Sequence, residues 1–162
     1  MPQVPWWKNS RGELFVLGQF VLFVLIIFGP QTVDALPAWS GPWQRLGHDT
    51  GALLMTAGAL LALAGVRSLG RNLTPFICPR AQSIFLERGA YGLVRHPIYS
   101  GLLQMAFGWA FWVHGWFSFV WALCLFLVFD SKSRREEQHL IRIFPGYAAY
   151  SRRVRRLIPL VY

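Results

Sequence analysis

Acidic side chains are scarce in this chain: seven Asp and Glu stand against sixteen Lys and Arg in 162 residues. Charged residues of both signs make up only 14% of the sequence and hydrophobic residues 54%, too little polar surface to clothe a soluble globule of one domain's length. The sequence therefore reads as that of an integral membrane protein. Its two cysteines, Cys78 in a polar connection and Cys124 in an apolar run, give neither a disulfide framework nor a thiolate metal site. No small-residue cleavage site follows the first apolar run, so that run is expected to stay as a span rather than be removed as a signal peptide. A net charge of +9, threaded between apolar runs, points to anionic lipid headgroups and away from nucleic acid.

What the chain has instead is long apolar runs with aromatic ends. Eight Trp and thirteen Phe, many near the ends of those runs, fit an interfacial belt. Spans are expected at about 13–29, 51–67, 97–113 and 116–131, within one domain covering 1–162. Residues 31–50, rich in Pro, Gly and Trp, read as an extramembrane loop anchored by Trp39 and Trp43. The second span is dense in Ala and Gly, which lets neighbouring helices approach closely. Residues 98–129 are almost continuously apolar. As a single helix they would carry Glu136 roughly 60 Å from His96, beyond one bilayer, so a hairpin turning near His114-Gly115 is expected. Lys and Arg cluster at the N-terminus (Lys8, Arg11), in the second connection (Arg67, Arg71, Arg80, Arg88, Arg95) and in the tail from Lys132, whereas the first loop carries Arg45 alone. This bias places both termini and the second connection in the cytoplasm. The fold class expected is an all-α integral membrane protein of about four transmembrane helices, the third and fourth forming a hairpin, with a cytoplasmic helical tail at 132–162. Within that tail the chain is expected to break at Pro145-Gly146 and to resume as an interfacial helix.

The hairpin brings two unusual charged pairs to one face. Arg95 and His96 precede Pro97, which suits the first position of a helix because its missing N–H costs nothing there. The positive end of that helix and the two side chains make an anion-accepting corner. Glu136 and Glu137 are adjacent in an otherwise basic tail, and antiparallel third and fourth spans return them to the same end. Cationic and anionic groups side by side suit a small zwitterionic ligand, and Tyr91, Tyr99, Tyr147 and Tyr150 offer faces to a sulfonium or quaternary ammonium. The plainer alternatives are headgroup anchoring by Arg95, His96 and the tyrosines, and local pairing of the glutamates with arginines. A metal is not expected: the single Glu136-x-x-His139 step lacks a second copy, and His48, His96, His114 and His139 lack paired spacing.

Three blocks of sequence carry a resemblance. They are Leu69-Gly70-Arg71-Asn72-Leu73-Thr74-Pro75, then Gly89-Ala90-Tyr91 with Val94-Arg95-His96-Pro97-Ile98-Tyr99-Ser100-Gly101, then Glu136-Glu137-Gln138-His139-Leu140 with Phe144, Tyr147 and Tyr150. Their order and spacing resemble the isoprenylcysteine carboxyl methyltransferase family, and phosphatidylethanolamine N-methyltransferases share the later parts. The resemblance covers the chain from residue 69 onward and implies a membrane methyltransferase that uses S-adenosylmethionine and takes a lipophilic small molecule or lipid from the bilayer. It implies a cofactor site walled by Tyr91, Arg95, His96, Pro97, Tyr99 and Gly101 on one side and Glu136 and Glu137 on the other, closed by Tyr147 and Tyr150. Arg95, His96 and Glu137 are the implied catalytic residues. Arg95 would orient a carboxylate acceptor, Glu137 or His96 would take a proton from an amine, and Glu137 is expected to be the more critical carboxylate. The chain lacks the extra helices of the eukaryotic prenyl-protein enzymes, in keeping with a short bacterial-type member of an inner membrane with a cytoplasmic site. Two rivals stand beside this reading: an NADPH-dependent membrane reductase similar to sterol reductases, and a non-catalytic membrane protein.

Overall fold

The computed structural model describes residues 12–32, 35–70 and 85–162. Among these the chain is helical, with no strand: α1 (Glu13–Phe28), α2 (Pro42–Leu69), α3 (Ala90–Leu93), α4 (Pro97–Trp112), α5 (Trp116–Ile143) and α6 (Tyr147–Arg153). The N-terminal Lys8 and Arg11, and the stretch of the second connection holding Arg71, Pro75, Cys78, Pro79 and Arg80, lie outside the described residues. Two helices, α2 and α5, are long and apolar enough to cross a membrane, and α1 is a shorter apolar helix. Large apolar side chains cover their outer faces, among them Leu17 and Val24 of α1, Leu53 and Leu60 of α2, and Leu123 and Leu127 of α5. Such a surface is stable where hydrocarbon rather than water surrounds it.

Glycines decide how α2 meets α4. Gly47, Gly51, Gly58 and Gly65 recur at intervals of four and seven and so share one helix face. Against them α4 presents Gly101 and Gly108 as it runs antiparallel. A Cβ on Gly51 would stand 2.6 Å from the Gly108 carbonyl oxygen, and one on Gly58 2.5 Å from that of Gly101. The two backbones touch, as small residues allow in a medium where apolar burial alone drives no association.

α4 and α5 form an antiparallel hairpin across 113–115, where His114 takes a left-handed turn conformation (φ 53°). Phe111 meets Phe119 edge to face at 4.9 Å near the turn, and Tyr99 stacks on Phe129 at 4.7 Å near the open end. α1 lies against the other side of α5, with Phe23 edge-on to Phe129. The buried core runs through Ile26, Leu103, Ala106, Ala122, Leu125 and Phe129, and Leu157 of the tail completes it.

Two expectations are corrected. Residues 42–50 are not loop: α2 begins at Pro42, where the proline occupies the first turn after Gly41 at φ 58°. Its polar first turns sit in helix because Gly47 continues the glycine seam onto the His114 ring. The tail is helical only to Arg153. Beyond it the carbonyls of Arg155 and Arg156 accept from the segment before α4, so residues 154–162 form a strap and not a helix.

Candidate functional site

Pro97 starts α4 with His96 as the residue before it, outside the helical region at φ −123° and ψ 68°. That conformation is held from outside the helix. The Arg95 N–H donates to the Arg155 carbonyl at 2.7 Å and the His96 N–H to the Arg156 carbonyl at 3.1 Å. The Arg95 guanidinium folds back onto the same tail, with one nitrogen donating to the Ser151 carbonyl at 2.7 Å and to the Val154 carbonyl. Its remaining edge grips Glu137 bidentately, Nε to Oε1 at 2.7 Å and Nη2 to Oε2 at 3.2 Å. Planar two-point pairing of this kind is the strongest ion-pair geometry a protein offers.

Glu137 collects three basic side chains. Beside Arg95, His96 Nε2 lies 3.1 Å from Oε1 and Arg156 Nε 3.5 Å from Oε2. The pair stands on the charged turns of α5 beyond its apolar run, outside the segment read as a span. Burial pushes the Glu137 carboxyl up, but the hydrogen bonds and charges of His96 and Arg95 outweigh it and hold the group at about 2. Glu136, one residue earlier and turned by about 100° on the helix, is half-buried and differently engaged. Its Oε2 accepts from the Tyr99 hydroxyl at 3.1 Å and faces His96 Nδ1 at 3.8 Å, while Oε1 has no hydrogen bond among the described residues.

The tyrosines serve less as open aromatic faces than as walls. The ring of Tyr99 is stacked with both His96 and Phe129 and lies under Lys132, so Tyr99 reaches the site through its hydroxyl. Tyr147 and Tyr150 are buried around Phe85, and the Tyr150 hydroxyl donates to the Tyr91 carbonyl at 2.6 Å. Burial pushes the phenols of Tyr91, Tyr147 and Tyr150 up, which keeps them neutral. Gly101 is placed elsewhere. It sits in the α2–α4 seam against Gly58 and Ala62, so its missing side chain serves helix packing and not a ligand wall. Pro97 likewise packs on Gly65 while starting the helix.

The sequence reading did not single out Asp130, Arg156, Tyr162 or Lys132 as site residues. Asp130 accepts from Arg156 at 3.1 Å, from the Tyr162 hydroxyl at 2.8 Å and from Arg134 at 2.8 Å, which clamps the strap to α5. One signal was available: Asp130 is one of only seven acids, and it directly follows an apolar run. Among the described residues no group of three or more metal-ligating side chains occurs.

Apolar helices carrying a buried ion-pair cluster at one end define a membrane protein with a polar site at its helix ends. A family model described as phospholipid methyltransferase matches residues 46–146, more than half of the chain, and the chain belongs to that family. No curated protein matches the chain. The matched region runs from the first turns of α2 to Gly146 and contains Arg95, His96, Glu136 and Glu137. α1, Tyr147, Tyr150 and the strap lie outside it. Membership implies methyl transfer to a lipid in a membrane, in accord with the likeness to phosphatidylethanolamine and isoprenylcysteine methyltransferases drawn from the sequence.

Proposed function

We propose that this protein is an S-adenosylmethionine-dependent methyltransferase that binds its cofactor beside Glu136 and the start of α4 and methylates a lipophilic acceptor drawn from the bilayer. One observation carries the reading: within the family match, the α4–α5 hairpin sets Arg95 and His96 against Glu136 and Glu137 at one helix end. The donor set suits the cofactor. Glu136 has an oxygen without a hydrogen bond among the described residues, suited to ribose hydroxyls or an ammonium, and the N–H groups of Ile98 and Tyr99 have no partner inside α4, as the first turn of a helix requires. When bound, the cofactor supplies an electrophilic methyl group on a sulfonium.

The chain's own task is to align and to exclude water. Arg95 is the positioning residue. Four of its five N–H donors go to Glu137 and to two tail carbonyls, so its main task is to fix the wall. For an amine acceptor, His96 is the better proton acceptor than Glu137, because a carboxyl held at about 2 takes a proton reluctantly. With Nε2–H donating to Glu137, the Nδ1 lone pair of His96 faces the Glu136 side and is free to take the proton. For a carboxylate acceptor no base is needed. The arrangement of charges along the chain supports four spans with this site in the cytoplasm.

Calorimetry on the detergent-purified protein tests the reading. S-adenosylmethionine and its demethylated product are expected to bind and NADPH is not. Binding of NADPH alone would favour the reductase reading, and binding of none of the three the non-catalytic one.

A further inference from the structure

Leu160 is the most exposed large apolar side chain among the described residues, at 89%, and Val161 beside it is 71% exposed. Neither belongs to an apolar helix that would account for such exposure, since both lie in the strap beyond α6. The backbone holds them out. Leu160 sits at φ 67°, a left-handed conformation that a residue with a Cβ adopts when its surroundings impose it. Hydrogen bonds impose it here. The Leu157 and Ile158 N–H groups donate to the Tyr162 main-chain oxygen at 2.7 and 2.8 Å, and the Val161 and Tyr162 N–H groups donate to the Ile158 carbonyl at 3.1 and 3.0 Å.

Two observations say what covers this turn. The first is its level. The Tyr162 ring lies 6.2 Å from that of Phe126, inside the apolar run of α5, while its hydroxyl donates to Asp130 at the polar end of that run. A tyrosine with its ring against an apolar span and its hydroxyl in a polar layer marks a membrane–water boundary. The turn that ends on it is therefore level with the last lipid-facing turn of α5, where Leu127 is exposed. The second is charge. Residues 138–162 contain five arginines and no Asp or Glu, and Arg152, Arg153 and Arg155 of this set are exposed just before the turn. An apolar tip behind a basic collar fits acyl chains beneath anionic headgroups. A second copy of the chain, equally basic here, would meet like charge.

The same strap holds the candidate site. The carbonyls of Ser151 and Val154 receive the Arg95 side chain, and those of Arg155 and Arg156 receive the Arg95 and His96 N–H groups. A single residue, the buried Leu157, separates these carbonyls from the turn.

We propose that the turn at 158–161 is a lipid-seated anchor: Leu160 and Val161 enter the leaflet at this end of the bundle, and that contact holds the strap's carbonyls on Arg95 and His96. The seat stands apart from the proposed reaction, whereas its effect on the cofactor rests on the methyl-transfer reading. The test uses the full chain with Cys78→Ser and Cys124→Ala, spin-labelled at Leu160→Cys or at Arg142→Cys, an exposed position on the polar turns of α5, in nanodiscs of phosphatidylcholine and phosphatidylglycerol. Oxygen, which concentrates in hydrocarbon, is expected to relax the label at 160 more than a water-soluble nickel chelate does, and the order is expected to reverse at 142. A label at 160 as open to nickel as that at 142 overturns the proposal. So does one shielded from both reagents, which would mean that a second copy or another protein covers the turn. Calorimetry then reads the coupling. Leu160→Asp with Val161→Asp is expected to weaken S-adenosylmethionine binding about tenfold, because the wall is no longer preorganised, and Leu160→Trp to leave it within about twofold. Unchanged affinity in the Asp variant overturns the coupling. If the label at 160 lies in the leaflet but the wild type binds no S-adenosylmethionine, the anchor stands and the methyltransferase reading falls.

Discussion

Glu136 and Glu137 are neighbours with opposite duties, and the difference is the turn of about 100° between successive residues on a helix. Glu137 faces inward. Its side chain is 11% exposed and holds Arg95, His96 and Arg156 together. Glu136 faces the flank, and its Oε1 makes no hydrogen bond among the described residues. Neutralising Glu137 strands the buried Arg95 charge, and breaking a buried pair from one side costs about 3–5 kcal/mol. Glu137→Gln is therefore expected to lower thermal unfolding stability by about that amount and to weaken S-adenosylmethionine binding through the displaced wall. Glu136→Gln keeps the hydrogen bond with Tyr99, changes stability by about 0.5 kcal/mol or less, and is expected to weaken cofactor binding directly. Unfolding and calorimetry on the two variants separate these roles. Equal stability losses would show that the two carboxylates are not divided in this way.

At the scale of the element, the α2–α4 seam sets where α4 starts and hence where His96 stands. A Cβ on Gly58 would meet the Gly101 carbonyl at 2.5 Å and the Gln104 Cβ at 2.9 Å, and backbone cannot swing aside as a long side chain can. Gly58→Val is expected to cost about 3 kcal/mol in unfolding free energy. Gly18→Ala in α1, where nothing lies within 4 Å, is expected to be neutral or slightly stabilising. Much at this scale was legible in the sequence. Pro97 and Pro145-Gly146 punctuate the backbone, and the glycines of the second apolar run recur on one face, so helix ends and the close approach could be read from residue type and period. The first turns of α2 were not legible, because Trp43, Gln44, Arg45 and Asp49 resemble loop while Gly47 carries their packing. Nor was the strap. Arg95 and His96 hold it through carbonyl oxygens of 151–156, which every residue type possesses. Lys132 read only as the first of the tail's basic residues, because its burial depends on α1, which lies more than a hundred positions away in the chain.

On the scale of the whole molecule, the Glu137 cluster joins three parts of the chain that are distant in sequence: the segment before α4, the polar end of α5 and the strap. Arg95 touches all three, and Asp130, Arg156 and Tyr162 repeat the link one layer away. The α4–α5 hairpin alone would leave the open end of the bundle to separate, so titration of this cluster should be felt by the global unfolding transition. Glu137 has a folded-state value of about 2 against an ordinary 4.5. A lowered value means that its contribution is fully present above about pH 4.5 and is lost as pH falls toward 2. At 1.36 kcal/mol per tenfold the contribution is about 3 kcal/mol. Between pH 7 and 5 this group should therefore leave wild-type stability unchanged, whereas between pH 4.5 and 2.5 the gap between wild type and Glu137→Gln should narrow by most of that amount. Denaturant unfolding of both proteins across this range measures the gap directly, and other carboxylates cancel because both proteins carry them. A gap that stays constant to pH 2.5 would mean that Glu137 is not held ionised by Arg95 and His96.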